Sequence, residues 1–153
     1  MNLKVFSDGG SKGNPGPSGY GVVIRDDAKN TLCTFGNFIG ITGNNIAEYV
    51  GAIMALRKAA EFEAESVQLF SDSQLVVCQV NGLYRVHPKY APYYRMLLEL
   101  KEKLAATVDW IPRGANQLAD KECDYAIRKR VTCDPRGIPN DPFSNPCIVS
   151  FAA

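Results

Sequence analysis

Three runs with the two-residue period of β-strands precede any stretch with helical spacing, and this order restricts the chain more than any other feature. Leu3, Val5 and Ser7 alternate with Lys4, Phe6 and Asp8. This predicts a short strand that runs into a Gly-rich turn from Gly9 to Gly19 and leaves Asp8 where the strand stops. The runs Gly19 to Arg25 and Thr31 to Ile39 are β-rich, with the polar turn Asp26-Asp27-Ala28-Lys29-Asn30 between them. Three such strands in succession predict an antiparallel meander.

From Asn45 to Phe62 the apolar residues Ile46, Tyr49, Val50, Ile53, Met54, Leu56 and Ala60 recur at steps of three and four, with Asn44 or Asn45 available as N-cap, which predicts a helix. Ser66 to Ser71 reads as a buried strand, followed by a helix opened by Asp72 and Ser73 and closed near Asn81-Gly82. Pro88 and Pro92 punctuate a connector to a helix over Tyr93 to Leu104. Ala106 to Ile111 is a fifth strand with Trp110 expected in the core, Pro112-Arg113-Gly114 a turn, and Asn116 to Arg130 a last helix with Leu118, Ala119, Cys123, Ala126 and Ile127 on one side. The pattern predicts an α/β fold: a five-stranded mixed sheet, its first three strands antiparallel, with helices on both faces. Residues 1–130 are expected to form the domain. Residues 131–153 hold four Pro and one Gly, which predicts an irregular tail.

The 17 basic and 16 acidic residues leave a net charge of +1, which excludes a strongly basic nucleic-acid coat protein. The balance is polarised: residues 1–84 hold 6 basic and 8 acidic groups, and residues 85–130 hold 10 and 6. Five Cys with no C-x-x-C pair exclude a zinc ribbon or thioredoxin-like motif, and an odd count favours a reducing compartment. No apolar run reaches 18 residues and the N-terminus lacks a signal-type segment, so a soluble cytoplasmic protein, with no membrane partner, is expected.

Asp8 and Asp72 stand at predicted strand ends, on the edge of an open α/β sheet where sites form. Glu48 falls in the first turn of the long helix and Asp120 near the start of the last. Each has a structural role open to it: Asp72 as an N-cap, Glu48 as an acid satisfying the helix dipole. Buried, carboxylates need a partner, and four oxygen donors without Cys or His suit a hard ion such as Mg²⁺ or Mn²⁺. Two ions about 4 Å apart suit phosphoryl transfer.

Four strings carry a resemblance. Asp8-Gly9-Gly10-Ser11-Lys12-Gly13-Asn14-Pro15-Gly16-Pro17, Asn44-Asn45-Ile46-Ala47-Glu48-Tyr49, Ser71-Asp72-Ser73-Gln74-Leu75-Val76 and Trp110 to Asp120 resemble, in order and spacing, the motif blocks of type 1 ribonuclease H. The resemblance spans residues 3 to 130. It implies the ribonuclease H fold and endonucleolytic cleavage of the RNA strand of an RNA–DNA hybrid, leaving 5′-phosphate and 3′-hydroxyl ends. It further implies that Asp8, Glu48, Asp72 and Asp120 are the catalytic ligands of two Mg²⁺ ions, with Mn²⁺ as a substitute, and that the protein acts as a monomer. Asp124, four residues further along the helix, is a rival for the fourth place. Gly9, Gly10, Ser11, Asn14, Asn44 and Gln74 are implied to line the minor groove of the substrate, where 2′-hydroxyls distinguish RNA from DNA.

The chain departs from the family at two points. Gly43 stands where many members place Thr for a DNA phosphate, and the loop 112–116 has no His; the one His is His87, in the connector. The short loop is similar to that of a compact subgroup that also lacks the basic protrusion. Between Asn81 and Leu104, Arg85, Lys89, Arg95, Lys101 and Lys103 interleave with Tyr84, Tyr90, Tyr93 and Tyr94, either as a modest substrate handle or as core tyrosines beneath a solvated charged face. The other functions weighed are a catalytically silent hybrid-binding module and a same-fold nuclease of relaxed specificity that also accepts double-stranded RNA.

Overall fold

The computed structural model of the chain describes residues 1–130. Five strands, β1 (Asn2–Ser11), β2 (Gly16–Arg25), β3 (Thr31–Thr42), β4 (Ser66–Ser71) and β5 (Thr107–Trp110), form one sheet in the order β3-β2-β1-β4-β5. β1, β2 and β3 pair antiparallel as the meander predicts, while β4 runs parallel to β1 and β5 parallel to β4. The helices are α1 (Asn44–Ala60), α2 (Gln74–Val80), α3 (Ala91–Lys103) and α4 (Gln117–Lys129). None of the described helices is long and apolar enough to cross a membrane.

The Gly-rich segment is mostly strand. β1 continues to Ser11 and β2 begins at Gly16, so the predicted turn of residues 9–19 contracts to the few residues between them. Helix packing explains Gly9 and, further along, Gly21. A Cβ on Gly9 would lie 2.3 Å from the Ala47 carbonyl carbon of α1, and one on Gly21 would lie 2.3 Å from the Ala119 oxygen of α4. On β1 alternate residues turn to opposite faces: Gly9 meets α1, and a Cβ on Gly10 would meet Cys123 of α4 at 3.6 Å. The sheet is therefore covered on both faces. On one lies the main core, including Leu3, Val5, Tyr49, Ile53, Leu56, Leu69 and Leu97; burying each large apolar side chain contributes roughly 1.5–3 kcal/mol.

The position of Asp8 is corrected in the same way. The β1–β4 ladder ends at Ser7 and Ser71, whereas β1 pairs with β2 through Ser11. Asp8 thus lies inside β1, one residue past the last parallel pair, and Asp72 follows β4 directly. The two acids flank the point where the parallel strands part.

The α1 periodicity is borne out, with Ile46, Tyr49, Val50, Ile53, Met54 and Leu56 buried. Its cap is not the predicted Asn: Gly43 holds that position, and the Asn44 N–H donates instead to Asn14 Oδ1 of the β1–β2 turn at 3.0 Å. At α2 the cap is Ser73, whose Oγ accepts from the Val76 N–H, so Asp72 is free of that duty.

Two core expectations fail. Trp110 is 45% exposed because β5 is a short edge strand in which only Val108 is buried; its Nε1 donates to the Asp72 carbonyl at 3.2 Å. Leu118 is 46% exposed because the first turn of α4 faces a recess beside Phe6, Val23 and Arg25. Tyr93 is core and Tyr90 and Tyr94 pack against it, which leaves Tyr84 as the exposed aromatic of the expected handle. The predicted tail, with Cys133 and Cys147, lies outside the described residues.

Gly21→Ala is expected to cost about 1–3 kcal/mol in urea unfolding through overpacking against α4, whereas Gly10→Ala, at ordinary contact distance, changes stability little. Equal stability of the two variants would refute the close α4–β2 approach.

Candidate active site

Where β1 and β4 part, the chain brings three acids together. Asp8, Glu48 and Asp72 each offer a carboxylate oxygen, and these three oxygens lie within 4.8 Å of one another. Asp8 is 7% and Glu48 9% exposed. Glu48 comes from the second turn of α1, beyond the residues that a helix dipole favours, and is directed to β1 by a 2.6 Å hydrogen bond from the Gly9 N–H to its Oε1. That bond depends on the missing side chain of Gly9, which lets α1 approach.

Among the described residues no Lys, Arg or His forms an ion pair with any of the three acids. Their titration reflects this. Burial, then the charges of Asp72 and Asp120, push Asp8 up to about 8. Burial and the charges of Asp8 and Asp72 raise Glu48 well above the ordinary carboxylate range. Two buried acids and a half-buried third, with no ion-paired cation among the described residues, are a costly arrangement. An all-oxygen donor set of this charge fits a hard divalent ion and does not fit one that prefers thiolate or imidazole.

The fourth acid stands apart from the triad. Asp120, in the first turn of α4, is exposed but lies near enough to Asp8 to raise its pKa. Its rival has another occupation: Asp124 Oδ1 accepts from Lys12 Nζ at 2.7 Å and Oδ2 from Arg128 Nε at 2.9 Å. These two bonds hold Asp124 below the usual carboxylate range.

The acids open into a cleft of about 920 Å³, lined also by Gly9, Gly10, Ser11, Asn44 and Gln74. Asn14 is not part of the lining; it acts behind it, through its bond to the Asn44 N–H. Sequence reasoning missed the basic rim of the cleft, Lys12, Arg113, Lys121 and Arg128, because these residues come from three segments whose proximity no local spacing reveals. Asn116 was also missed as a site residue. Its Nδ2 donates to the Ser7 carbonyl at 2.8 Å and to Asp72 Oδ2 at 3.3 Å.

A family described as reverse transcriptase-like matches residues 6–126. A ribonuclease H of Syntrophus aciditrophicus is 32% identical over 138 residues, covering 82% of this chain and 78% of that protein. A bifunctional protein of Mycobacterium tuberculosis is 37% identical over 130 residues, covering 83% of this chain and 36% of that protein; the chain thus spans about a third of the length of this relative. Among solved structures, LC11-RNase H1, isolated from compost and crystallised with an RNA/DNA hybrid, superposes with a TM-score of 0.79 at 36% identity, covering 84% of this chain and 98% of that one.

Between the ordinary Asp value of 3.8 and about 8, the folded metal-free chain holds more protons than the unfolded chain, so its stability falls as pH rises through that window, by on the order of a few kcal/mol. Thermal melts in EDTA are expected to show this decline, and Asp8→Asn to reduce it and raise the melting temperature at pH 8. A wild-type melting temperature that holds steady or rises between pH 5 and 8 would contradict the cation-free acid cluster.

Proposed function

The chain belongs to the type 1 ribonuclease H family, and from that membership we propose that it is a divalent-metal-dependent endonuclease cutting the RNA strand of RNA–DNA hybrids. The observation that carries the proposal is the uncompensated cluster of Asp8, Glu48 and Asp72 at the floor of an open cleft. These three would hold the ions, with Asp120 joining from α4, and Mg²⁺ is the ion of choice with Mn²⁺ as its substitute. When bound, the ions supply the Lewis-acid charge that activates the attacking water and stabilises the leaving 3′-oxygen, giving 5′-phosphate and 3′-hydroxyl products.

The protein's own groups orient and discriminate. The Gly9 N–H fixes Glu48, and the backbone of Gly9 and Gly10 admits a minor groove close to the acids. Asn44 and Gln74 present amides for 2′-hydroxyls, with Asn44 steadied from behind by Asn14. The basic rim of the cleft meets phosphates, so hybrid binding falls with salt. No imidazole comes from loop 112–116, and His87 is engaged elsewhere as an exposed cap, its Nδ1 accepting from the Lys89 N–H.

Relaxed specificity toward double-stranded RNA is favoured by one observation. At Gly43 a Cβ would lie 2.8 Å from Asn14 Oδ1. A Thr for the DNA phosphate therefore competes with the Asn14 contact to α1, and recognition of the DNA strand loses an anchor. The enzyme is read as a cytosolic monomer, in keeping with the free thiols of Cys78 and Cys123.

The test is cleavage of labelled RNA–DNA hybrid, double-stranded RNA and DNA duplex in Mg²⁺, Mn²⁺ or EDTA. Cleavage of the hybrid's RNA strand that EDTA abolishes is expected, lost in Asp8→Asn and Asp72→Asn and strongly reduced in Asp120→Asn. Asp124→Asn keeps activity within about threefold, since exposed ion pairs contribute little. An inactive wild type would overturn the proposal, and loss in Asp124→Asn with full activity in Asp120→Asn would reverse the assignment of the fourth acid.

A further inference from the structure

We propose that Asn116 is a positioning residue for the acid cluster, setting the Asp72 carboxylate in the orientation that receives a divalent ion. It rests on the metal-dependent reading of the site and adds to it a residue outside the four acids.

Asn116 is 2% exposed and sits where three acid-bearing elements meet. Its Nδ2 donates to the carbonyl of Ser7, the residue before Asp8, and to Oδ2 of Asp72. Its main-chain carbonyl accepts from the Asp120 N–H at 3.1 Å, in the first turn of α4. The amide can face only one way, because both of its neighbours are acceptors and only Nδ2 can donate to them. Asn116 thereby ties β1, the end of β4 and the start of α4 together beside three of the four acids.

Asp72 needs such a tie. Ser73 takes the cap of α2, and the Trp110 bond fixes only the Asp72 main chain. Oxygens of Asp8 and Glu48 lie within 4.8 Å of one on Asp72, a crowding of acidic groups that disfavours the inward orientation of the Asp72 side chain. The Asn116 donor favours that orientation, engaging Oδ2 and leaving Oδ1 for an ion. Residues that orient metal ligands in this way typically govern affinity by about 10–100-fold.

The experiment titrates the full chain with Mn²⁺ alone by calorimetry, beside thermal melts with and without the ion, for wild type, Asn116→Leu and Asn116→Ser. Leu keeps the approximate volume and removes the donor, while Ser returns a shorter one. Asn116→Leu is expected to weaken Mn²⁺ binding about 10–100-fold and to shrink the metal-induced rise in melting temperature, with hybrid cleavage recovering at saturating Mn²⁺. Asn116→Ser should fall between, and it carries the test by itself if the Leu variant does not fold. A residue that only supports the fold would lower the metal-free melting temperature and leave the Mn²⁺ affinity of the folded protein unchanged; that result overturns the proposal. A wild type that binds no Mn²⁺ would instead defeat the metal-dependent reading beneath it.

Discussion

Three carboxyl groups whose oxygens lie within 4.8 Å of one another, two of them buried and none ion-paired among the described residues, crowd like charges together whenever they ionise, and much of the local architecture answers to that cost. The acids come from chain segments far apart in sequence, so their positions are fixed by packing and not by local sequence. The parallel ladder ends one residue before Asp8 and one before Asp72. Gly9, lacking a side chain, lets α1 approach β1 until its N–H reaches Glu48. On the opposite face Gly21 does the same for α4, which brings Asp120 over the cluster's edge. The acids are thus held together by helix–sheet contacts that glycines make possible.

Much of this was legible from residue order. The period-two runs and the 3.6-residue pattern of α1 identify the elements because burial on one face imposes those periods. The motif blocks bring Asp8, Glu48 and Asp72 forward as a set. What was not legible depends on approach distance and chain crossing. The glycines read locally as a turn, since a sequence shows that a side chain is missing but not which backbone needs the space. Trp110 read as core because it ends a strand beside Ile111, although an edge strand of four residues cannot cover it. The choice between Asp120 and Asp124, equivalent by helical spacing, becomes physical only through Lys12, which is remote in sequence from both and pairs with Asp124.

The two departures from the family pattern acquire a structural setting. Gly43 accompanies an α1 N-terminus held by Asn14 from the neighbouring turn, so Asn44 and the β1–β2 turn are tied directly to each other. The connector between α2 and α3 contributes Tyr49–Tyr90 stacking and the Asn45–Tyr90 hydrogen bond. Most of its aromatic surface therefore supports the cleft wall from behind, and little remains to grip a DNA strand. Polarised charge with a net value near zero fits a cleft whose acidic floor and basic rim balance until cations neutralise the floor.

The account turns on the claim that Asp8 and Glu48 hold protons in the metal-free chain and give them up when an ion binds. Proton release on Mn²⁺ binding at pH 7, obtained from calorimetric titrations in two buffers of different ionisation enthalpy, tests it most directly. With Asp8 near 8 and Glu48 raised as well, about one proton or more should leave for each protein loaded. Asp8→Asn should both weaken binding and reduce the release. Tight Mn²⁺ binding with no proton released, or binding indifferent to Asp8→Asn, would contradict it.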